Sequence, residues 1–185
     1  MDQKENRLVE LVLSGKTEAF EPLVTPYKKL LLTIAYRLSR NAEEAKEISQ
    51  ETLLRAFRYL RSFDRKRSFK NWLLQIAMNV WRASSKRSAD EATLRELAAD
   101  QHPENPEARQ EGAEARSQVL SCLDGLSPRE REVFLLRDIE EMSIKETAQI
   151  SRTSAMAVRV HLSRARQKIR ERVRERFPEL LGGTR

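Results

Sequence analysis

The sequence predicts an all-α protein made of two small helical domains joined by a flexible acidic linker, the second domain containing a helix-turn-helix. Three observations carry this. Apolar residues recur at helical spacing along most of the chain, and no segment alternates with period two. Only 5 Gly and 6 Pro occur in 185 residues, too few turn formers for an all-β chain, while a hydrophobic content of 39% is too high for disorder. Charge is segmented as well: residues 1–90 hold 18 basic and 11 acidic groups, 91–116 hold 3 and 7, and 117–185 hold 14 and 10.

The elements follow from local signals. Helices are expected near 4–14, 17–37, 42–60, 69–86, 113–124, 128–138, 144–150 and 154–176. Asn41 with Glu44, Ser127 with Glu130 and Ser143 with Glu146 each set a cap oxygen three residues before a carboxylate that can reach back, the mark of a helix start. Pro128 suits the first turn after Ser127. The run Asp100-Gln101-His102-Pro103-Glu104-Asn105-Pro106-Glu107 has two prolines and no apolar spacing, so it reads as a tether. Its acidity could keep it off a polyanion or mimic one; a plainly solvated linker remains the other reading.

Composition excludes several function classes. The amino terminus alternates charge with apolar residues, unlike a signal peptide, and no stretch approaches the roughly 18 apolar residues of a membrane span, so a cytoplasmic protein without a membrane span is expected. One cysteine, Cys122, cannot form an internal disulfide, and His102 and His161 do not supply a zinc ligand set, so no metal is expected. A net charge of +7 makes nucleic acid the first partner to consider and an anionic membrane surface the second.

Residues 143–170 have the pattern of a helix-turn-helix: a short capped helix, a polar break at Ser151-Arg152-Thr153, and Ser154 capping a longer helix. In that second helix Val158, Leu162, Ala165 and Ile169 form one inward stripe, which turns Met156, Arg159, Val160 and Ser163 outward near its start. A helix in a major groove reads base edges with such amino-terminal residues, while later cations hold phosphates. Nine basic residues between Arg152 and Arg176 stand against Glu171 and Glu175; a merely solvated basic face is the competing reading. His161 is expected at the edge of the stripe.

Between Arg55 and Arg87 ten basic residues and one acid are interleaved with six of the chain's eleven aromatics, Phe57, Tyr59, Phe63, Phe69, Trp72 and Trp81. Cations neutralise phosphates and aromatic faces accept unstacked bases, so this mixture suits single-stranded DNA better than intact duplex; a window in which most of these rings are core, and Trp72 half-buried, is the competing reading. Phe69, Leu73, Ile76 and Val80 are expected inward, with Trp72, Gln75, Asn79, Arg82 and Lys86 on the neighbouring face. Upstream, Glu43, Glu47 and Glu51 recur every four residues beside Gln50 and Arg55, an acidic face that fits a basic protein helix or solvent equally.

Two motif sets carry a family resemblance. Ala45-Lys46-Glu47-Ile48-Ser49-Gln50-Glu51-Thr52-Leu53-Leu54-Arg55-Ala56-Phe57 and then Ser68-Phe69-Lys70-Asn71-Trp72-Leu73-Leu74-Gln75-Ile76-Ala77-Met78-Asn79 resemble region 2 of bacterial sigma factors. Leu126-Ser127-Pro128-Arg129-Glu130-Arg131-Glu132-Val133-Phe134-Leu135-Leu136-Arg137 and Val158-Arg159-Val160-His161-Leu162-Ser163-Arg164-Ala165-Arg166 resemble region 4. They occur in the right order and span nearly the whole chain apart from the linker. With no room for the domains that larger sigma factors carry before and between them, the chain resembles the extracytoplasmic-function class.

The resemblance implies a dissociable RNA polymerase subunit. Residues 1–90 would be region 2, 91–116 the linker and 117–185 region 4. Glu47, Gln50, Glu51 and Arg55 would bind the clamp helices of core RNA polymerase. Asp64, Arg65, Lys66, Arg67 and Ser68, the loop that helps capture a flipped base in the family, would act with Trp72, Gln75, Asn79, Arg82 and Lys86 on the minus-10 promoter DNA. Arg152, Ser154, Met156, Arg159, Val160, Ser163, Arg164 and Arg166 would read the minus-35 element as duplex. An anti-sigma factor would cover these surfaces in the inhibited state. The chain departs from the usual pattern at Arg152, where family members usually carry Gly, at Ser151 and Ser49, where they carry apolar residues, and at Ala83, where Asp is frequent. The rival reading is a two-domain helix-turn-helix regulator that is not a polymerase subunit; it would need an effector pocket or a dimer helix. A nucleic-acid enzyme would need a clustered carboxylate, histidine or Walker-type site, and no such motif or Gly-rich phosphate loop is visible, so neither catalysis nor a cofactor is expected.

Overall fold

The structure, a computed structural model, describes residues 3–96 and 121–178, and every regular element among them is helical. The packing divides into two compact units, one of residues 1–90 with 149–152 and the other of 91–148 with 153–185. The expected tether at 100–107 and most of the helix expected at 113–124 lie outside the described residues; of the latter, a short 3-10 turn, Cys122–Gly125, is described.

In the amino-terminal unit α1 (Gln3–Leu13) is followed by a 3-10 turn (Thr17–Ala19), α2 (Phe20–Ser39), α3 (Ala42–Tyr59), a second 3-10 turn (Leu60–Ser62) and α4 (Phe69–Glu96). The helix ends have specific causes. After α1, Gly15 adopts φ +100°, and the hydrogen bonds Lys16 N–H to Leu11 O and Gly15 N–H to Val12 O close a Schellman turn. After α2, Arg40 takes the left-handed conformation at φ 60° and its N–H bonds Tyr36 O at 2.8 Å. Asn41 then caps α3 by accepting the N–H groups of Glu43 and Glu44. The expected return bond from Glu44 is replaced: its carboxylate accepts the Ser84 hydroxyl at 2.9 Å, which links α3 to α4.

The core of this unit lies between α2 and α3, with α1 packed on α2. Leu23, Leu31, Ile34 and Leu38 of α2 and Ala45, Ile48 and Ala56 of α3 are buried. Each large aliphatic side chain so covered contributes about 1.5–3 kcal/mol. An aromatic cluster pins the start of α4, where the Phe63 ring packs on Phe69 and Trp72, and Tyr27 of α2 packs on Phe69. Helix α4 runs past the expected end at 86 to Glu96. The expected stripe of Phe69, Leu73 and Val80 is buried, with Ile76 half-buried; Leu74, Ala77, Met78 and Trp81 are buried too, so the apolar surface of α4 is wider than one stripe.

The carboxy-terminal unit holds α5 (Pro128–Phe134), continued by a π-helical turn (Leu135–Ile139), then α6 (Ile144–Ser151) and α7 (Ala155–Arg176). Val133, Val158 and Leu162 form its core, with Phe134, Ile144 and Ala148 packed against them. Both capping boxes anticipated here are formed, Ser127 with Glu130 and Ser143 with Glu146. Glu130 is buried at the start of α5, where it accepts the Ser127 N–H and the Lys168 ammonium at 2.7 Å. Burial alone would raise its pKa, but the hydrogen bonds from Lys168 and Ser127 outweigh burial and hold the carboxyl below the ordinary range.

Candidate nucleic-acid and partner surfaces

Helices α6 and α7 meet across a left-handed turn. Arg152 has φ 52°, Thr153 N–H bonds Ala148 O at 3.0 Å and Arg152 N–H bonds Gln149 O at 3.3 Å. That pair of bonds with one left-handed residue is a Schellman turn, so an arginine occupies the position where glycine is usual in such turns. The neighbouring Ser151 is buried. Ser154 then caps α7, accepting the Ala157 N–H at 3.1 Å.

Along α7 the inward stripe is as the spacing predicts: Val158, Leu162 and Ala165 are buried and Ile169 is half-buried. Met156, at 66% exposure, Arg159, Val160 and Ser163 stand outward with Arg164, while His161 is half-buried at the stripe's edge. A cleft of about 720 Å³ runs along this side, lined by five guanidinium groups, those of Arg137, Arg159, Arg166, Arg170 and Arg174. Arg137 comes from the π turn and had no sequence signal of its own. The Arg166 guanidinium forks onto the Asp138 carboxylate, with Nε donating to Oδ2 at 2.8 Å and Nη2 to Oδ1 at 2.7 Å. Further along, the Arg172 guanidinium lies so close to Gly125 that a side chain there would collide with it.

In the other unit Asp64 organises the loop before α4. Its side chain accepts the Lys66 N–H at 3.0 Å, its carbonyl accepts the Arg67 N–H, and its carboxylate lies 3.4 Å from the Arg67 guanidinium. Arg65 pairs with Glu10 of α1, and Ser68 caps α4 by accepting the Asn71 N–H at 3.3 Å. All five side chains from Asp64 to Ser68 are exposed. On the neighbouring face of α4, Trp72, Gln75, Asn79 and Arg82 are half-buried and Lys86 is exposed. Asn79 accepts from Arg82 at 2.5 Å, which orients both side chains. Phe63, Phe69 and Trp81, at 8%, 1% and 3% exposure, are core residues, so the rings of that window left at the surface are Phe57, Tyr59 and part of Trp72.

On α3, Glu47 and Gln50 are exposed, while Glu51 and Arg55 are half-buried and joined by a 2.6 Å ion pair. Beside them opens a mainly apolar groove of about 600 Å³, lined by Phe20, Val24, Gln50, Leu53, Leu54 and Phe57 among others. Leu54 is 52% and Phe57 41% exposed, with Phe57 held edge-on to Phe20 at 5.1 Å. This groove was missed in the sequence, although residues 50, 53, 54 and 57 have the spacing of one helix face.

These features define a class first: an all-helical DNA-binding protein whose helix-turn-helix unit is accompanied by a second helical unit with a basic loop and an apolar-acidic surface. Comparison with known proteins gives the family. The family model for sigma-70 region 2 matches residues 23–90, and that for sigma-70 region 4 matches residues 116–169. The chain is 31% identical to the RNA polymerase sigma-E factor of Streptomyces coelicolor over 85% of its own length and 87% of that protein. It is 26% identical to the ECF RNA polymerase sigma factor SigW of Bacillus subtilis over 95% of its length and all of that protein. The structure of CnrH in complex with the cytosolic domain of CnrY matches with a TM-score of 0.71 at 25% identity, over 94% of this chain and 99% of that one. The chain belongs to the extracytoplasmic-function class of sigma-70-type RNA polymerase sigma factors. Among the described residues no helix is long and apolar enough to cross a membrane, and no cluster of His, Cys, Asp and Glu could hold a metal ion.

Proposed function

We propose that the protein binds core RNA polymerase and directs promoter-specific initiation of transcription from the cytoplasm, acting by binding and strand opening and not as an enzyme. Residues 1–90 act as region 2, 91–116 as the tether and 117–185 as region 4. The observation that carries this reading is the pairing of two different surfaces in a chain of this family. One is a partner surface on α3, where Glu47, Gln50, Glu51 and Arg55 border an apolar groove. The other is a nucleic-acid surface, split between the loop before α4 and the outward side of α7.

Glu47, Gln50, Glu51 and Arg55 engage the clamp helices of core polymerase, and the exposed Leu54 and Phe57 add apolar area next to them. Asp64, Arg65, Lys66, Arg67 and Ser68 take a displaced minus-10 base, while Trp72, Gln75, Asn79, Arg82 and Lys86 guide the strand. The exposure and internal order of the loop support this role, since a preformed turn loses little freedom when it binds. Ser154, Met156, Arg159, Val160 and Ser163 meet minus-35 base edges, with Arg152 and Arg164 at phosphates. An anti-sigma protein holds the factor inactive in a 1:1 complex covering these surfaces; the CnrH structure is that of a complex with the cytosolic domain of CnrY.

Run-off transcription with purified core polymerase tests the function. Addition of the protein should produce discrete transcripts from a subset of templates in a genomic fragment library. Core polymerase that gains no template selectivity, with the protein still bound to DNA alone, would transfer the chain to the regulators.

A further inference from the structure

Arg166 and Lys168 both belong to the basic run of α7, yet each is held by a carboxylate of α5 or its π turn. The Arg166 fork to Asp138 uses two parallel hydrogen bonds, which fix orientation as well as distance. The Asp138 side chain is 18% exposed and that of Arg166 52%. Lys168 reaches Glu130, the capping residue at the other end of α5, whose side chain is 5% exposed. At 100° per residue, positions 166 and 168 flank the inward stripe of Val158, Leu162, Ala165 and Ile169 on opposite sides. The two ion pairs therefore grip α7 against rotation about its own axis.

Asp138 occupies the π turn of Leu135–Ile139, closed by Glu140 N–H to Leu135 O at 2.9 Å. A turn of that kind adds a residue to the helix and re-aims the side chains in it, and such turns are rare and recur at functional sites. Arg159 and Ser163 lie on the same flank of the stripe as Arg166, respectively two turns and one turn nearer the start of α7. Whatever sets the rotation at Arg166 sets the direction in which those two project.

We propose that Asp138 is a positioning residue for duplex reading: by holding Arg166 it fixes the rotation of α7 and so aims Arg159 and Ser163 at base edges, while withholding Arg166 from phosphate. This rests on the reading of α7 as the minus-35 helix. Base preference thus depends on a carboxylate that does not touch DNA. An exposed ion pair with no role in aiming would leave sequence preference unchanged.

The test uses the full chain reconstituted with core polymerase. The wild-type holoenzyme first selects a preferred duplex from a randomised pool, and binding to that duplex and to a scrambled one is then measured across a salt series. Asp138→Asn and Arg166→Gln should each reduce the preferred-to-scrambled ratio by about tenfold, the scale of one mismatched base pair, and the double variant should be no worse than either alone. Arg166→Gln should leave the slope of log K against log salt unchanged. Arg164→Gln should lower that slope by about 0.9, the value of one phosphate contact, and keep the ratio. Asp138→Arg combined with Arg166→Asp retains both charges and should restore much of the ratio, and circular dichroism of every variant monitors folding.

An unchanged ratio in Asp138→Asn overturns the proposal, as does an Arg166→Gln slope that falls as far as that of Arg164→Gln. If the single variants unfold, a folded charge swap with no recovered preference overturns it equally. A wild-type holoenzyme that selects no sequence overturns the assigned function, and the inference with it.

Discussion

Arg152 holds a strained backbone at a position proposed to meet phosphate, and that backbone makes a prediction of sign. It holds φ 52° in the Schellman turn between α6 and α7. For a residue with a Cβ the left-handed conformation costs about 1–2 kcal/mol. Glycine removes that cost but adds about 0.4–1 kcal/mol of unfolded-state entropy. Arg152→Gly should therefore be more stable than Arg152→Ala by roughly 0.5–1 kcal/mol. The two variants differ by one methyl group and lose the same exposed guanidinium, so the comparison isolates the backbone. Gln167, exposed in the middle of α7, supplies the control, because there glycine should be less stable than alanine by about 1 kcal/mol. On the melting temperature of a unit this size the Arg152 pair should differ by about 2–8 °C, and the Gln167 pair by about 4–8 °C in the opposite direction. Thermal and urea unfolding of the full chain followed by circular dichroism measure both. Glycine less stable than alanine at position 152 would refute the left-handed assignment and with it the reason this turn holds without glycine.

Three further outcomes are expected. Glu51→Lys, or Gln50→Ala, should weaken association with core polymerase by up to about 2–5 kcal/mol with the unit still folded; pull-downs unchanged by both would make the α3 face a solvated one. Arg159→Ala should relax preference at one minus-35 position by about 1–3 kcal/mol, whereas Arg170→Ala should weaken all duplexes alike and lower the salt slope, so equal sequence-blind losses would reduce Arg159 to a phosphate contact. Because the folded state holds the Glu130 pKa below its unfolded value, the stability this carboxylate contributes is complete above the ordinary glutamate value of about 4.3 and is lost as pH falls through the folded value. Glu130→Gln should accordingly flatten the acid limb of melting temperature against pH, and an acid limb identical to wild type would assign that limb to other carboxylates.

Helix starts were legible in this sequence, and most ends fall within two residues of expectation with α4 the exception, but the backbone geometry that makes those ends was not legible, for a physical reason. A cap is a side-chain oxygen within three residues of the N–H groups it serves, so Asn41, Ser127, Ser143 and Ser154 declare themselves. An end depends on one backbone angle. Gly15 advertises it, but Arg40 and Arg152 adopt the same left-handed region without any compositional mark. The groove on α3 was hidden by a stronger neighbouring signal, since the acidic repeat at 43, 47 and 51 drew the reading away from Leu53, Leu54 and Phe57. The π turn has no local signature at all. Composition counts the rings between Phe57 and Trp81 without saying which are covered, and Phe63 and Trp81 belong to the core.

The same distinction governs charge. Nine cations between Arg152 and Arg176 invite the inference that all of them face DNA. Two, Arg166 and Lys168, are taken up by Asp138 and Glu130, acids located 28 and 38 residues away that no window of α7 contains. Arg172 is laid against Gly125. The exposed remainder, Arg152, Arg159, Arg164, Arg170, Arg174 and Arg176, is the set with room to meet a polyanion. Since each phosphate contact adds about 0.9 to the salt slope, these six cations add at most about 5 where the bare count of nine would give about 8. Charge density in a helix measures how strongly it attracts DNA at a distance. The acids on the packed neighbour decide how much of that charge is spent on holding the helix still, and a reading helix needs both.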